Sequence, residues 1–425
     1  MRGAVKIGIV VWAMAAAIVI GFGRRVGTTG GPTDAPTGFD LTSNGFAEEF
    51  CANQDELTNS PNSPTIPDDQ CSFDAAADTF KEVDDIAEGL GPIFNATGCG
   101  ECHIVPILGG SSQITEKRAG FYNGFSFVDH PGGSLLQDRA TDPSIQEHII
   151  PARTNVVALR SSLNVLGDGF VEAIGDSTLA AIAASQPRSM RGLLIQVDLL
   201  EKPGQKGVGR FGHKDQQASL LSFSADAYVN EMGITSPLQP IENTSNGNSI
   251  EQFDFSEEDP DNDGVDVALF ALFMRSTKAP PQDPDRAKQP DVIAGSAIFD
   301  DLGCAVCHTR TINTAPPGTL INGGALKVTN ALGDKTIHPF SDFLLHNVGT
   351  GDGIVQNGGP STRNRIRTAA LWGLRTRSRF MHDTLSFTLT DAIRRHGGQA
   401  TTVRDNFNAL SPSDRNNVIA FLFSL

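Results

Sequence analysis

The amino-acid sequence predicts a mainly α-helical protein with long irregular loops, arranged as two similar halves. The motif I-F-x-x-x-G-C-x-x-C-H occurs twice, starting at Ile93 and at Ile298, which lie 205 positions apart. Each copy is followed by a segment with apolar residues at i, i+3 and i+4, residues 266–273 in the first half and 417–423 in the second, as in a buried helix. The 44 glycines and 24 prolines indicate extensive loops between such helices.

The composition is that of an acidic globular protein. Hydrophobic residues make up 39% and charged residues 19% of the 425 residues, and this length is enough for two or three domains with cores of their own. The net charge of −16 argues against nucleic acid as a partner, because binding phosphates requires clustered Lys and Arg.

The N-terminus has the pattern of an export signal. Arg2 and Lys6 precede an uncharged, largely apolar run of about 17 residues that ends before Arg24. The run is short for a membrane-spanning helix, which needs roughly 20 residues, and residues 21–23 offer a small-x-small cleavage site. Residues 1–23 are therefore predicted to be a signal peptide, with an uncleaved N-terminal anchor as the alternative. Either way, the rest of the chain is expected in the periplasm.

The repeat also suggests the domain organisation. Residues 24–80 are rich in Gly, Thr, Asn, Pro and Asp, and are predicted to form an irregular N-terminal arm. We place the N-terminal half at residues 81–278, a Pro-rich linker at 279–289, and the C-terminal half at 290–425.

Two of the six cysteines stand apart from the CxxC pairs. Cys51 and Cys71 flank a loop rich in Pro, Asn and Asp. In an exported chain, a structural disulfide between them is expected rather than two free thiols.

The two CxxCH motifs predict covalently attached haem. Two thiols three residues apart can form thioether bonds to both vinyl groups of a haem, and the adjacent histidine becomes a ligand of the iron. The attaching residues are Cys99, Cys102, Cys304 and Cys307, and the proximal iron ligands are His103 and His308. A zinc site or a redox CxxC is the alternative, but it would require a histidine to follow by accident twice within a longer repeat. The sequence thus predicts two haem c groups in tandem cytochrome c-like domains.

The halves differ where the distal side of each iron is expected. When residues 391–398 are aligned with residues 225–233, His396 of the second half matches Glu231 of the first. His396 is therefore predicted to be the second axial ligand of haem 2, and Glu231 the acid/base beside haem 1. A bis-His iron is saturated and suits electron transfer, whereas an iron facing a carboxyl group has room for peroxide or oxygen beside a general acid/base.

Other polar residues near the motifs leave alternatives open. Arg153 and Arg367 occupy similar places in the two halves, and each is predicted to bind a haem propionate or to form an ordinary buried salt bridge. His130 and His148 could each close the first iron in a resting state, although an exposed loop histidine is the more common outcome.

A calcium ion is a further hypothesis. Residues 259–266 begin with the acidic spacing and the glycine of an EF-hand loop, but Phe270 stands where that loop requires a bidentate Glu. A simple acidic turn is therefore favoured over a calcium site.

Several segments beyond CxxCH resemble one family. This family is the di-haem oxidoreductases related to the bacterial di-haem cytochrome c peroxidases and to the di-haem enzyme that matures methylamine dehydrogenase. The similarity is strongest to the branch called thiol oxidoreductases or di-haem peroxidases, and it covers nearly everything after residue 80. The segments that carry it are residues 91–95, 167–174, 209–212, 230–233, 380–383 and 409–412.

The resemblance implies roles for three residues. In the peroxidase relatives, the position similar to His396 is the distal ligand of the electron-transfer haem, usually Met. The position similar to Glu231 is the distal glutamate of the peroxidatic haem. A Trp commonly lies between the haems in a segment similar to residues 211–214, where this chain has His213. His213 is therefore a candidate bridge, hydrogen-bonding neighbour or ligand.

These observations predict a periplasmic di-haem c-type oxidoreductase in which electrons pass from haem 2 to a peroxidase-like haem 1. The alternative is a pure electron-transfer cytochrome with no catalytic haem. The expected donor is a small redox protein or a quinol-linked carrier, and the other reactant is peroxide or another oxidisable substrate. Contact with a membrane is expected only through residues 1–23, if they are not cleaved.

Overall fold

Helices predominate over strands in the computed structural model, which describes residues 31–254 and 261–425. Helices account for 34% and strands for 15% of the structure. The α-helices of the described part are α1 (Phe46–Ala52), α2 (Gln54–Leu57), α3 (Phe73–Lys81), α4 (Cys99–Cys102), α5 (Asp168–Glu172), α6 (Asp176–Ser185), α7 (Leu220–Ala227), α8 (Val265–Ser276), α9 (Pro290–Leu302), α10 (Leu389–Arg394), α11 (Thr401–Ala409) and α12 (Pro412–Leu422). The predicted predominance of helix is confirmed.

The strands are short. They are β1 (Thr33–Asp34), β2 (Ile93–Phe94), β3 (Thr115–Tyr122), β4 (Phe127–Asp129), β5 (Leu135–Leu136), β6 (Arg139–Ala140), β7 (Val156–Ser161), β8 (Gln196–Asp198), β9 (Lys206–Val208), β10 (Thr244–Ser245), β11 (Asn248–Ser249), β12 (Ile312–Asn313), β13 (Leu320–Ile321), β14 (Leu326–Lys327), β15 (Lys335–Ile337), β16 (Leu345–His346) and β17 (Ile366–Arg367). In the largest sheet, β3 pairs antiparallel with β7 along one edge and with β4 and β5 along the other. This sheet was not expected from the sequence.

Each half of the chain contains an equivalent pair of packed helices. Helix α8 packs against α3, and α12 packs against α9. The predicted apolar segments 266–273 and 417–423 fall in α8 and α12, as expected from their periodicity. The start of α12 is fixed by Ser411, whose hydroxyl accepts a hydrogen bond from the Asp414 N–H, and by Pro412 at the first helical position.

An aromatic ring lies beside the histidine of each motif. The ring of Phe80 in α3 is 6.1 Å from that of His103, and the ring of Phe299 in α9 is 6.3 Å from that of His308. Both phenylalanines belong to apolar clusters that also contain α8 or α12. The repeat in the sequence therefore corresponds to a repeat in packing.

The predicted irregular arm over residues 24–80 is wrong in its second half. Residues 46–80 contain α1, α2 and most of α3, and Phe46, Phe50 and Phe73 are buried in the core. Burial of these rings stabilises helices within an otherwise polar stretch. The predicted disulfide between Cys51 and Cys71 is present and ties α1 to the segment before α3.

The two copies of the motif begin in different secondary structure. Ile298 and Phe299 lie in α9, but Ile93 and Phe94 form strand β2, which pairs with β6. Gly91 has a φ of +95°, and Pro92 lacks a backbone donor, so a helix cannot run through them into the motif.

Two predictions concern residues outside the described part. Residues 1–23, the predicted signal peptide or anchor, lie wholly outside it, as do residues 259 and 260 of the EF-hand-like segment. Within residues 31–254 and 261–425, no helix has the length and apolar character needed to cross a bilayer.

Candidate functional site: two cavities over the CxxCH motifs

Each CxxCH motif lies in the wall of a large cavity. The N-terminal cavity, lined by Cys99, Cys102 and His103, holds about 1600 Å³ of empty space including its opening to solvent. The C-terminal cavity, lined by Cys304, Cys307 and His308, holds about 1560 Å³ on the same measure. The two motifs therefore face cavities of similar size.

The two motif histidines are oriented alike. His103 Nδ1 donates a hydrogen bond to the Gly110 carbonyl (3.2 Å), and His308 Nδ1 donates to the Phe340 carbonyl (2.9 Å). This arrangement fixes the tautomer and leaves each Nε2 unprotonated for a metal. Burial lowers the pKa of both rings, that of His308 to about 4, so both are neutral at physiological pH, as iron ligands must be.

His396 lies in the C-terminal cavity together with His308. It follows α10, whose start is capped by Thr388. His396 Nδ1 donates to the Ala392 carbonyl (2.8 Å), which again leaves Nε2 unprotonated. Burial lowers the pKa of His396. This side chain therefore has the orientation and the protonation state of a second axial ligand.

His346, which also lines the C-terminal cavity, is engaged at both nitrogens. Its Nε2 lies 2.8 Å from a carboxylate oxygen of Asp342, and its Nδ1 lies 3.6 Å from the sulfur of Cys307. Among the residues described, only these three bring ligand atoms close enough together to hold a metal ion. A thioether bond to haem would occupy the Cys307 sulfur, so we assign the group to the haem site.

Glu231 lies in the N-terminal cavity, on a π-helical turn, Tyr228–Met232, that follows α7. Such turns often occur at functional sites. The Glu231 carbonyl accepts the N–H groups of Asn95 and Ala96, so the turn is anchored to the segment just before the first motif. Asn95 Nδ2 also donates to Glu231 Oε2 (2.8 Å). Burial, and then the charge of Glu116, raise the pKa of Glu231 to about 8.

The two cavities share a wall. Ser161, Leu163 and His213 line both of them. His213 Nε2 donates to the Ser161 carbonyl (2.8 Å), and its ring lies 6.3 Å from that of His382 in the C-terminal cavity. Burial, and then the charge of Arg160, lower the pKa of His213 to about 3. His213 is therefore a neutral ring between the cavities.

The two predicted propionate-binding arginines differ. Arg367 lines the C-terminal cavity, while its Nε donates to the Gly212 carbonyl (2.7 Å) and so braces the loop that carries His213. Arg153 is exposed and lines neither cavity, so its predicted contact with a cavity-bound group is wrong. It lies in a turn ahead of β7, whose side chains, rather than Arg153, reach the cavity.

Sequence reasoning missed Arg377. Its guanidinium lines the C-terminal cavity, and within the described ranges no carboxylate pairs with it. Burial and the neighbouring Arg367 lower its pKa to about 10. Arg377 is half-buried, and a guanidinium without a carboxylate partner in a cavity wall can bind an anionic group.

The remaining candidate residues of the sequence analysis lie outside the two cavities. His130 is buried, with both ring nitrogens bonded to backbone groups, and His148 is exposed; neither lines a cavity. In the EF-hand-like segment, Asp261 Oδ1 accepts the Asp266 N–H (3.0 Å) and Asp263 Oδ1 accepts the Val265 N–H (3.1 Å). These contacts are those of carboxylates that cap a helix start.

The residues present fit a haem in each cavity. Each cavity offers two free cysteines and a neutral histidine with an available Nε2. In the C-terminal cavity, the unpaired Arg377 supplies the cation that a haem propionate needs.

Comparison with known proteins gives distant structural matches. They include the hydrazine synthase of Kuenenia stuttgartiensis (14% identity, TM-score 0.40, covering 97% of this chain and 100% of that chain) and a MauG-like protein associated with microbial copper homeostasis (14%, 0.39, 87% and 94%). A third is the diheme peroxidase BthA of Burkholderia thailandensis (14%, 0.38, 86% and 90%). No curated protein sequence matches the chain.

One family model matches most of the chain. Its description is "Di-haem oxidoreductase, putative peroxidase", and the match spans residues 145–425, which include the second CxxCH motif, Glu231 and His396. The chain therefore belongs to the di-haem oxidoreductase family.

Proposed function

We propose that this protein is a periplasmic di-haem c-type oxidoreductase in which electrons pass from haem 2, in the C-terminal cavity, to a peroxidase-like haem 1, in the N-terminal cavity. Family membership supports two haems and a redox function. One observation carries the finer proposal: both cavities are lined by a CxxCH motif, but the C-terminal cavity contains His396 where the matching residue of the N-terminal cavity is Glu231.

Covalent attachment is proposed because all four motif cysteines are free and line the cavities. After denaturation, the protein should retain its haem and give a c-type haemochrome with two irons per chain. Haem that is extracted by acidic acetone would contradict this attachment. We further propose that residues 81–278 and 290–425 are two cytochrome c-like units.

The residues of the two cavities suit different tasks. His308 and His396 each present an unprotonated Nε2, so together they would saturate an iron and favour electron transfer without substrate binding. Glu231 carries a proton at neutral pH and can give it to, or take it from, an oxygen atom bound within the N-terminal cavity. Bound haem supplies the one-electron chemistry.

The shared wall supports transfer between the cavities. His213 lines both and is held in place by Ser161 and by the loop that Arg367 braces. It stands where peroxidase relatives commonly have Trp. We propose it as the bridge rather than as an iron ligand, because its ring lines both cavities and is fixed in their shared wall by the Ser161 carbonyl.

Partners and location are proposed on chemical grounds. The predicted export signal and the disulfide between Cys51 and Cys71 both suit an oxidising compartment, the periplasm. A small redox protein or a quinol-linked carrier would supply electrons, and peroxide would accept them in the N-terminal cavity. An oxidisable substrate would be the electron donor in the other case considered. Calcium at residues 259–266 stays a prediction.

The test is an optical titration of the reduced protein with hydrogen peroxide. We expect rapid oxidation of one haem by a single equivalent, followed by oxidation of the second through internal transfer. A protein whose two haems both fail to react would be the pure electron-transfer cytochrome of the alternative interpretation.

A further inference from the structure

A second glutamate faces Glu231 inside the N-terminal cavity. Glu116 lies on β3, far from Glu231 in the sequence, and both side chains line the cavity. The two carboxyl groups lie within hydrogen-bonding reach of each other. A carboxylate has no donor, so this contact requires one of the two groups to carry a proton.

The surroundings of the two groups are unequal. Arg118, two residues along the same strand, holds Glu116 in a bidentate pair, with Nε and Nη2 at 2.6 and 3.0 Å from its two oxygens. Arg160 lies directly opposite Glu116 on β7 and places Nη1 3.6 Å from it. The direct neighbour of Glu231, in contrast, is the neutral amide of Asn95.

This asymmetry decides which group is ionised. Burial opposes the charge of Glu116, but the guanidinium groups of Arg118 and Arg160 outweigh it and lower the pKa of Glu116 to about 2. Glu231 lacks such a pair, and burial together with the charge of Glu116 raises its pKa. The shared proton therefore resides on Glu231, which donates it to the Glu116 carboxylate.

We propose that Glu116 is a positioning residue for Glu231: its carboxylate, fixed between two arginines, faces the Glu231 carboxyl group and holds the acid proton there. The inference rests on the proposed function only for the use of that proton. If Glu231 gives the proton away, two carboxylates face each other, and their repulsion favours its return. Glu231 can thus act first as an acid and then as a base.

Other charged groups also face this pair. They are Arg118 on β3, Arg160 on β7, Asp226 on α7, Arg139 at β6, the ring of His213 and the Cys102 thiol at α4, whereas Asp138 at β6 is largely exposed. Arg160 also forms an ion pair with Asp352 (2.7 Å), so part of its charge is already balanced. Arg118 is thus the main counter-charge of Glu116.

The experiment is an infrared titration of the carboxyl C=O stretch in the haem-loaded protein. The difference between wild type and Glu231→Gln isolates the Glu231 band, which should disappear near pH 8. In Glu116→Gln, the negative neighbour is gone while Arg118 remains. The band should then disappear at least one pH unit lower, which is about a tenfold larger ionisation constant.

The control is Asp138→Asn. Asp138 lines the same cavity but is largely exposed and pairs with Lys117, so its loss should leave the Glu231 titration in place. If Glu116→Gln does not fold, Glu116→Asp replaces it. Its shorter side chain withdraws the charge from Glu231, and the Glu231 band should again disappear at a lower pH.

Two outcomes would overturn the proposal: an unchanged Glu231 titration in the Glu116 variant, or a wild-type Glu231 that is already ionised at pH 7. Neither depends on turnover. A protein that ignores peroxide but shows the predicted shift would refute the proposed function and leave the carboxyl pair intact.

Discussion

Replacing Glu231 with Gln tests the proposed acid/base directly. The raised pKa of about 8 means that about 90% of Glu231 is protonated at pH 7, whereas a carboxyl group with the ordinary value of 4.5 would be about 0.3% protonated. The cavity therefore increases the amount of available acid by about 300-fold. Gln keeps the shape and the contact with Asn95 but has no acidic proton. We expect the reaction with peroxide to slow by roughly 10²–10⁴-fold, the usual range for a lost acid/base.

The assay is stopped-flow mixing of reduced protein with peroxide, followed at the haem absorption bands. The wild-type rate should fall as the pH rises above about 8, where Glu231 loses its proton, and Glu231→Gln should lack this limb. Asp138→Asn, a change at an exposed carboxyl group of the same cavity, is the matched control, and its rate should still fall above about pH 8. If Glu231→Gln reacts at the wild-type rate with unchanged haem spectra, Glu231 is not the acid/base of the reaction.

Three further predictions follow from the structure. His396→Ala should convert one low-spin iron to high-spin and leave the other unchanged in the optical spectrum, because the matching residue of the N-terminal cavity is Glu231. Unaltered spectra would make His382 the next candidate. Arg377→Gln should lower the reduction potential of one haem in a spectroelectrochemical titration, since a half-buried positive charge disfavours ferric iron, while Arg153→Gln, at an exposed site, should leave both potentials in place. Replacing Cys51 and Cys71 by Ser opens a link across 20 residues and should lower the free energy of unfolding by about 3 kcal/mol in denaturant titrations; unchanged stability would show that the link contributes nothing.

The fold could be predicted where a local pattern determines it. The apolar periodicity of residues 266–273 and 417–423 was sufficient to find α8 and α12. The helices of residues 46–80 were missed because Phe46 and Phe50 stand among polar residues, and only tertiary burial favours helix there. The pairing of β3 with β7 was missed because the two strands are far apart in the sequence.

The residues of the functional site were likewise predicted where they belong to a motif or a repeat, and missed elsewhere. The CxxCH residues were found from their spacing, and the repeat alignment brought out Glu231 and His396, each of which lies in the expected cavity. Glu116 and Arg377 belong to no motif, and their meaning depends on neighbours that only the fold provides. The alternation of Glu116 and Arg118 along one strand was a weak signal, since it places both side chains on one face.

We propose that the two haems have different distal sides, with His396 beside haem 2 and Glu231 beside haem 1. Low-temperature electron paramagnetic resonance of the ferric protein at pH 7 tests it most directly, because it reports the spin state of each iron separately. We expect one high-spin signal and one low-spin bis-imidazole signal in equal amounts, with only the low-spin signal lost in His396→Ala. Two low-spin signals in the wild type, both unaffected by His396→Ala, would contradict it.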